Sequence, residues 1–170
     1  GNEHLTPIHR LDRETAGVVL ISKYVESRGL YQQMFATRQV QKTYHAIAAY
    51  KADLEFPLIT RLRMEKGQPF YTMQVVNGEA NSETAIQLLE HNKEWAKYEL
   101  KPHTGKQHQL RVHLNHLGIP IQNDPFYPRI AHKAEDDFSA PLSLLAQHIQ
   151  FIDPITQKSM NFSSRLELTL

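Results

Sequence analysis

Apolar residues recur along this chain with two different periods, and the changes of period mark the boundaries of its elements. Between residues 25 and 36, Leu30, Tyr31, Met34 and Phe35 fall at helical spacing, which predicts a helix lying on a sheet, with Gly29 its weak point. Over residues 43–48 the period drops to two, placing Tyr44, Ala46 and Ala48 on one strand face and His45 and Ile47 on the other. The small neighbours of Tyr44 leave room above its ring. Further strands are predicted at 58–63, 70–75, 82–89 and 95–101, separated by the turn pairs Lys66-Gly67 and Asn77-Gly78 as in an antiparallel meander.

The run Val18-Val19-Leu20-Ile21 reads as a buried strand entered from the polar loop at 12–17. Residues 104–117 predict a second helix. Thr104 and Gln107 have the spacing of a capping box, and Gly118 followed by Pro120 stops the helix. An irregular loop with Pro125, Pro128 and an acidic patch is expected over 124–137, and short strands around an Asp153-Pro154 turn over 142–170.

A chain of 170 residues fits one ordinary domain. Its 41% hydrophobic and 22% charged residues are those of a globular protein, and no apolar run approaches the ~20 residues of a membrane span. Without cysteine there is no disulfide framework and no thiolate metal site, and the start of the chain has no signal-peptide pattern, so a cytoplasmic location is expected. A formal net charge of +1 means that any nucleic-acid binding must come from locally clustered Lys and Arg.

Two segments carry candidate chemistry. On the second helix Leu110, Leu114 and Leu117 form the core-facing stripe, while His108, Arg111 and Asn115 fall on another, which presents Arg111 either as a surface residue or as a functional one. Gly105, Lys106 and the helix N-terminus together suit a phosphate. In the opening loop Asp12 reads either as a turn residue capping nearby N–H groups or as a carboxylate held ionised by a cation. Arg111 is the candidate cation, with Arg10 and Arg13 as local competitors.

These segments carry a family likeness. His9-Arg10-Leu11-Asp12-Arg13-Glu14-Thr15-Ala16-Gly17 resembles the aspartate motif of RluA-type pseudouridine synthases, with Ala16 where serine is usual. Lys42-Thr43-Tyr44-His45-Ala46 is similar to the family's Lys-x-Tyr-x-Ala motif. The segment Thr104-Gly105-Lys106-Gln107-His108-Gln109-Leu110-Arg111-Val112-His113 is similar to its arginine motif, with Lys106, Gln107 and Leu110 as departures. Residues 117–127 and 145–154 match two further motifs, so the likeness covers almost the whole chain.

The resemblance implies an α+β catalytic domain, a curved, mixed but mainly antiparallel sheet flanked by helices, with helix 104–117 beside a central cleft. It implies one domain over residues 1–170, shortened at its N-terminus relative to the family, whose domain normally begins some tens of residues before the aspartate. The implied activity is isomerisation of uridine to pseudouridine in ribosomal or transfer RNA without a cofactor. Asp12, Tyr44 and Arg111 are the implied catalytic residues, and His9, Arg10, Lys42, Lys106, His108 and Gln109 the implied contacts to structured RNA.

Two other classes remain in view. His103, His108, His113 and His116 crowd one segment, but the five-residue step from His108 to His113 is not the ligand spacing of a helical zinc site, so no metal is expected. A non-catalytic RNA-binding module of the same fold, inactive for want of the N-terminal segment, needs only phosphate contacts and shape. The target uridine and the oligomeric state are not written in these residues.

Overall fold

A computed structural model of the chain describes residues 3–134 and 136–170. In chain order its elements are β1 (Thr6–Pro7), β2 (Ala16–Gly17), β3 (Ile21–Ser22), α1 (Val25–Ala36), β4 (Gln41–Ala49), β5 (Leu58–Lys66), β6 (Met73–Val76), β7 (Ser82–His91), β8 (Trp95–Pro102), α2 (Gln109–His116), β9 (Leu144–Ile152) and β10 (Ser159–Ser163). The main sheet runs β10-β9-β4-β8-β7-β5-β6, antiparallel throughout, with β2 added in parallel to β9. The architecture is thus α+β, as the motifs imply.

The strands are not a plain meander. β4 is inserted between β8 and β9, and β6 returns along the far side of β5, away from β7. Long-range pairing therefore brings the segment after Lys42 to the centre of the sheet.

Directly paired residues share a face, so Tyr44, Ala46 and Ala48 of β4 stand beside Leu100, Tyr98 and Ala96 of β8. The alanines are fully buried, and their small size lets Leu110 and Leu114 of α2, with Ile119 and Ile121 behind it, pack closely onto the sheet. The Tyr98 hydroxyl, carried into this core, donates to the Ala49 carbonyl at 3.1 Å. A second cluster joins Met34 of α1 and Val40 to Ile149 and Phe151 of β9.

Two further expectations need correction. The run does not form one strand over 18–21: only Ile21 joins β3, while the Leu20 N–H donates to His9 Nε2 at 2.9 Å and is lost to the ladder. Val18 and Leu20 instead lean on the Met34 cluster, while Val19 and Ile21 are exposed. The capping box does not form either: α2 starts at Gln109 with His108 as its N-cap in the left-handed region (φ 52°, ψ 20°). Thr104 is occupied elsewhere, its hydroxyl accepting from the Glu83 N–H at 2.9 Å and donating to Gln109 Oε1 at 2.6 Å. The far end of α2 closes as the pattern predicts, with Gly118 at φ 77° and the Ile119 N–H returning to the Leu114 carbonyl. In the irregular loop at 124–137, Glu135 of the expected acidic patch lies outside the described residues.

His113 is a titratable group inside this core. The Ser82 hydroxyl donates to the Leu62 carbonyl at 2.7 Å, so the 2.8 Å contact with His113 Nε2 must be an imidazole N–H donating to Ser82 Oγ. Nδ1 has no partner among the described residues. Protonating it would bury an unanswered N–H, and burial, aided by His116, lowers the His113 pKa to about 4. The folded ring thus binds its proton more weakly than the unfolded one. Stability is fully present above about pH 6.5 and is lost as pH falls towards 4, on the order of 3 kcal/mol. Urea unfolding at pH 7 and pH 4.5 checks this: His113→Gln, which keeps an N–H for Ser82 and cannot titrate, shows a smaller difference between the two midpoints.

Candidate active site

The loop that carries Asp12 is pinned at both ends. Thr15 N–H closes a turn on the Asp12 carbonyl at 3.0 Å, and Val18 N–H reaches the Ala146 carbonyl of β9 at 3.0 Å. Between them Gly17 has φ 117°, and a Cβ there would stand 2.2 Å from the Ala146 carbonyl oxygen, so only glycine lets the loop dock on β9. The Glu14 carboxylate adds a third tie, accepting from Leu142 N–H and Lys133 Nζ, each at 3.0 Å. Asp12 is left projecting from a fixed loop into a cleft of about 590 Å³.

Arg111 meets it there. Its Nη1 donates to Asp12 Oδ2 at 3.0 Å across 99 positions of sequence, as the paired motifs require. The Arg111 side chain is only 4% exposed and lies over the rings of Phe126 and Tyr127, at 4.9 and 5.3 Å from the ring centroids. A guanidinium buried so deeply needs more than one half-open carboxylate beside it.

The second carboxylate is Asp124, a residue that the sequence reading passed over. Arg111 Nε donates to Asp124 Oδ2 at 2.8 Å and Nη2 to Oδ1 at 2.7 Å, a two-pronged pair with Asp124 1% exposed. Asp124 Oδ1 also accepts from the backbone N–H groups of Phe126 and Tyr127 at 2.8 and 3.1 Å. Burial acts against the Arg111 charge, but the bonds to Asp124 and the charges of Asp124 and Asp12 outweigh it and raise its pKa. The fork is therefore a permanent cation whose third edge faces Asp12.

Tyr44 lines the same cleft. Burial, with the nearby Asp12 charge second, pushes its phenol up to about 12, so at neutral pH it is a protonated donor and an apolar ring, not a base. Lys42, two positions earlier, also lines the cleft, beside the loop of Gly105, and burial lowers its pKa. Arg10 and Lys106 stand exposed on the rim. None of Arg10, Lys42 or Lys106 has an acidic partner among the described residues, which leaves three cations in or around the cleft open to an anion.

His108 is directed inward. Its Nδ1 lies 2.9 Å from the Tyr127 hydroxyl and its Nε2 4.0 Å from Asp12 Oδ1. Burial lowers its pKa, with Asp12 pulling the other way.

Two of the residues expected at RNA are used inside the protein instead. Gln109 is buried, its Oε1 accepting from Thr104 Oγ1 and Lys106 N–H and its Nε2 donating to the Glu83 carbonyl and Thr84 Oγ1. All four hydrogen-bonding positions of the amide are filled, which fits it to hold the 104–107 loop and not a nucleotide. His9 accepts from Leu20 N–H and stacks on Phe35 with ring centroids 4.6 Å apart, and burial together with Lys42 lowers its pKa to about 4. It braces the base of the Asp12 loop from behind. Among the described residues no group of three or more His, Asp or Glu side chains is arranged to hold a metal ion.

Residues 1–116 match the family described as RNA pseudouridylate synthase. The chain belongs to that family.

Its relatives agree. Over 175 residues the chain is 31% identical to a tRNA pseudouridine synthase C of Vibrio vulnificus (strain CMCP6), covering 93% of this chain and 71% of the relative. It is 30% identical over 168 residues to a ribosomal large subunit pseudouridine synthase C of Vibrio cholerae serotype O1, covering 96% of this chain and 52% of that one. A dual-specificity RNA pseudouridine synthase RluA of Pasteurella multocida is 32% identical over 173 residues, covering 93% and 72%. The chain therefore spans from about half to nearly three quarters of the length of these RNA pseudouridylate synthases. The solved structure of human RNA pseudouridylate synthase domain containing 4 superposes with a TM-score of 0.74 at 26% identity, covering 96% of this chain and 72% of that one. Among the described residues no helix is long and apolar enough to cross a membrane.

Proposed function

We propose that this RNA pseudouridylate synthase family member converts uridine to pseudouridine in a structured RNA, ribosomal or transfer, with Asp12 as the acting carboxylate. The observation that carries the reading is the Asp12–Arg111 bond, which joins two motifs 99 residues apart inside a cationic cleft. The relatives' names supply the substrate class: one acts on tRNA and one on the large ribosomal subunit.

The chemistry is a balanced rearrangement. The C1′–N1 bond breaks, the uracil turns in place, C1′ bonds to C5, and the proton displaced from C5 is matched by one taken up at N1. Arg111 occupies Asp12 Oδ2 and fixes the direction of the carboxylate, leaving Oδ1 for the sugar. Tyr44, a neutral phenol at working pH, packs on the uracil and holds it while it turns. A base inside a stack cannot reach Asp12, so the nucleotide is flipped at a cost of about a few kcal/mol. Arg10, Lys42 and Lys106 offset that cost by neutralising phosphates.

RNA carrying tritium at uridine C5 tests the reading directly. Incubated with the purified chain, it releases tritium to water in step with pseudouridine formed. Tight RNA binding with no release would replace the enzyme by a binding module of the same fold.

A further inference from the structure

The Tyr127 hydroxyl sits between two partners. It accepts from the Met73 backbone N–H at 2.8 Å and lies 2.9 Å from His108 Nδ1. A backbone N–H can only donate, so one phenol lone pair is taken. Were the imidazole also to donate from Nδ1, the phenol proton would need a different acceptor, and no other contact of this hydroxyl exists among the described residues. The satisfied arrangement has Tyr127 O–H donating to an unprotonated Nδ1, which puts the ring proton on Nε2.

That proton faces the carboxylate oxygen that Arg111 does not hold. Nε2 is 4.0 Å from Asp12 Oδ1, while Arg111 is bonded to Oδ2. We infer that Tyr127 locks His108 as the Nε2–H tautomer, making His108 a positioning residue for the acting oxygen of Asp12 and not a contact to RNA. The inference rests on Asp12 being the acting carboxylate. Closing the gap by about 1 Å, as catalytic hydrogen bonds do when substrate arrives, gives Oδ1 a neutral donor that fixes its direction. Burial keeps the ring neutral near pH 7, the state in which the choice of tautomer matters. Phe126 stands at 5.5 Å from the imidazole centroid and helps to hold its plane.

Nitrogen NMR of the ¹⁵N-histidine-labelled protein at pH 7 reads the tautomer without any turnover. A protonated Nε2 and bare Nδ1 at His108 are expected, with the Nδ1 resonance shifting in Tyr127→Phe as its donor is lost. A protonated Nδ1 in the parent protein overturns the inference whatever the activity. The paired variants His108→Gln and His108→Asn give a second readout, because a glutamine amide nitrogen falls near Nε2 and an asparagine amide nearer Nδ1. His108→Gln is expected to keep most of kcat and His108→Asn to lose about ten- to hundredfold with KM for RNA unchanged. The backbone works against that order, since asparagine tolerates the left-handed conformation of residue 108 better than glutamine. Equal loss in both, or a raised KM with kcat intact, would make His108 a structural or RNA-binding residue and sink the proposal.

Discussion

Asp12→Asn is expected to lower turnover by at least about a thousandfold while leaving affinity for RNA within about twofold. The replacement is nearly isosteric and keeps an oxygen for Arg111 Nη1, so the loop anchored by Thr15, Gly17 and Glu14 has no reason to move. What is lost is the negative charge that, on the proposed mechanism, meets C1′ of the flipped nucleotide. On the proposed reading RNA affinity comes from phosphate contacts of Arg10, Lys42 and Lys106, none of which the substitution touches. Single-turnover tritium release and filter binding on the same preparation separate the two quantities. Full turnover by the purified variant would remove Asp12 from the assignment and leave the cleft without an acting group.

Arg111→Met is expected to abolish turnover and also to destabilise the fold by about 3–5 kcal/mol, because it strands a carboxylate in a dry site. Among the described residues Asp124, 1% exposed, is bonded only by the guanidinium and two backbone N–H groups, whereas Asp12, at 28%, can still reach water. For a chain of this size the loss corresponds to a fall in Tm of roughly 6–20 °C. The double variant Arg111→Met, Asp124→Asn removes the orphan charge yet keeps an oxygen for the Phe126 and Tyr127 N–H groups, so it regains most of the stability and none of the turnover. Arg111→Lys lies between, keeping a charge but losing the planar fork that spans both carboxylates. If the single Met variant unfolded like the parent protein, the Arg111–Asp124 pair would not be holding the fold together.

How far the residues alone announced this arrangement depends on the reach of the forces involved. α1 and the strands β4, β7 and β8 were readable to within a residue or two because their apolar periods answer to one continuous sheet face. Residues 18–21 look like a strand by composition, yet one imidazole, His9, takes the Leu20 N–H and the ladder is interrupted. The start of α2 was misread for a similar reason. Gln109 is buried and draws Thr104 and the Lys106 N–H to itself, a competition invisible to a rule that counts four residues.

The candidate site divides along the same line. Asp12 and Arg111 could be paired from their motifs before any coordinates, but Asp124 could not, since Asn-Asp-Pro after an apolar stretch has the look of an ordinary turn. It is indeed a turn residue, capping two N–H groups, and it is the clamp of the arginine as well. Its available signal was the mismatch of charge: a deeply seated arginine with a single half-open carboxylate is an unfinished circuit. His9 and Gln109 show the converse, that standing beside a reactive residue in a motif does not decide which way a side chain faces.

The parallel join of β2 to β9 dictates when this protein can begin to work. Strand β9 is made more than a hundred residues after the segment it must grip, and Asp124 follows Arg111 by thirteen. A nascent chain that has already exposed both signature motifs still has a slack opening loop and an arginine lacking its clamp. Competence arrives in one late step, roughly 2–8 s behind the emergence of Arg111 at ordinary elongation rates of about 5–20 residues per second.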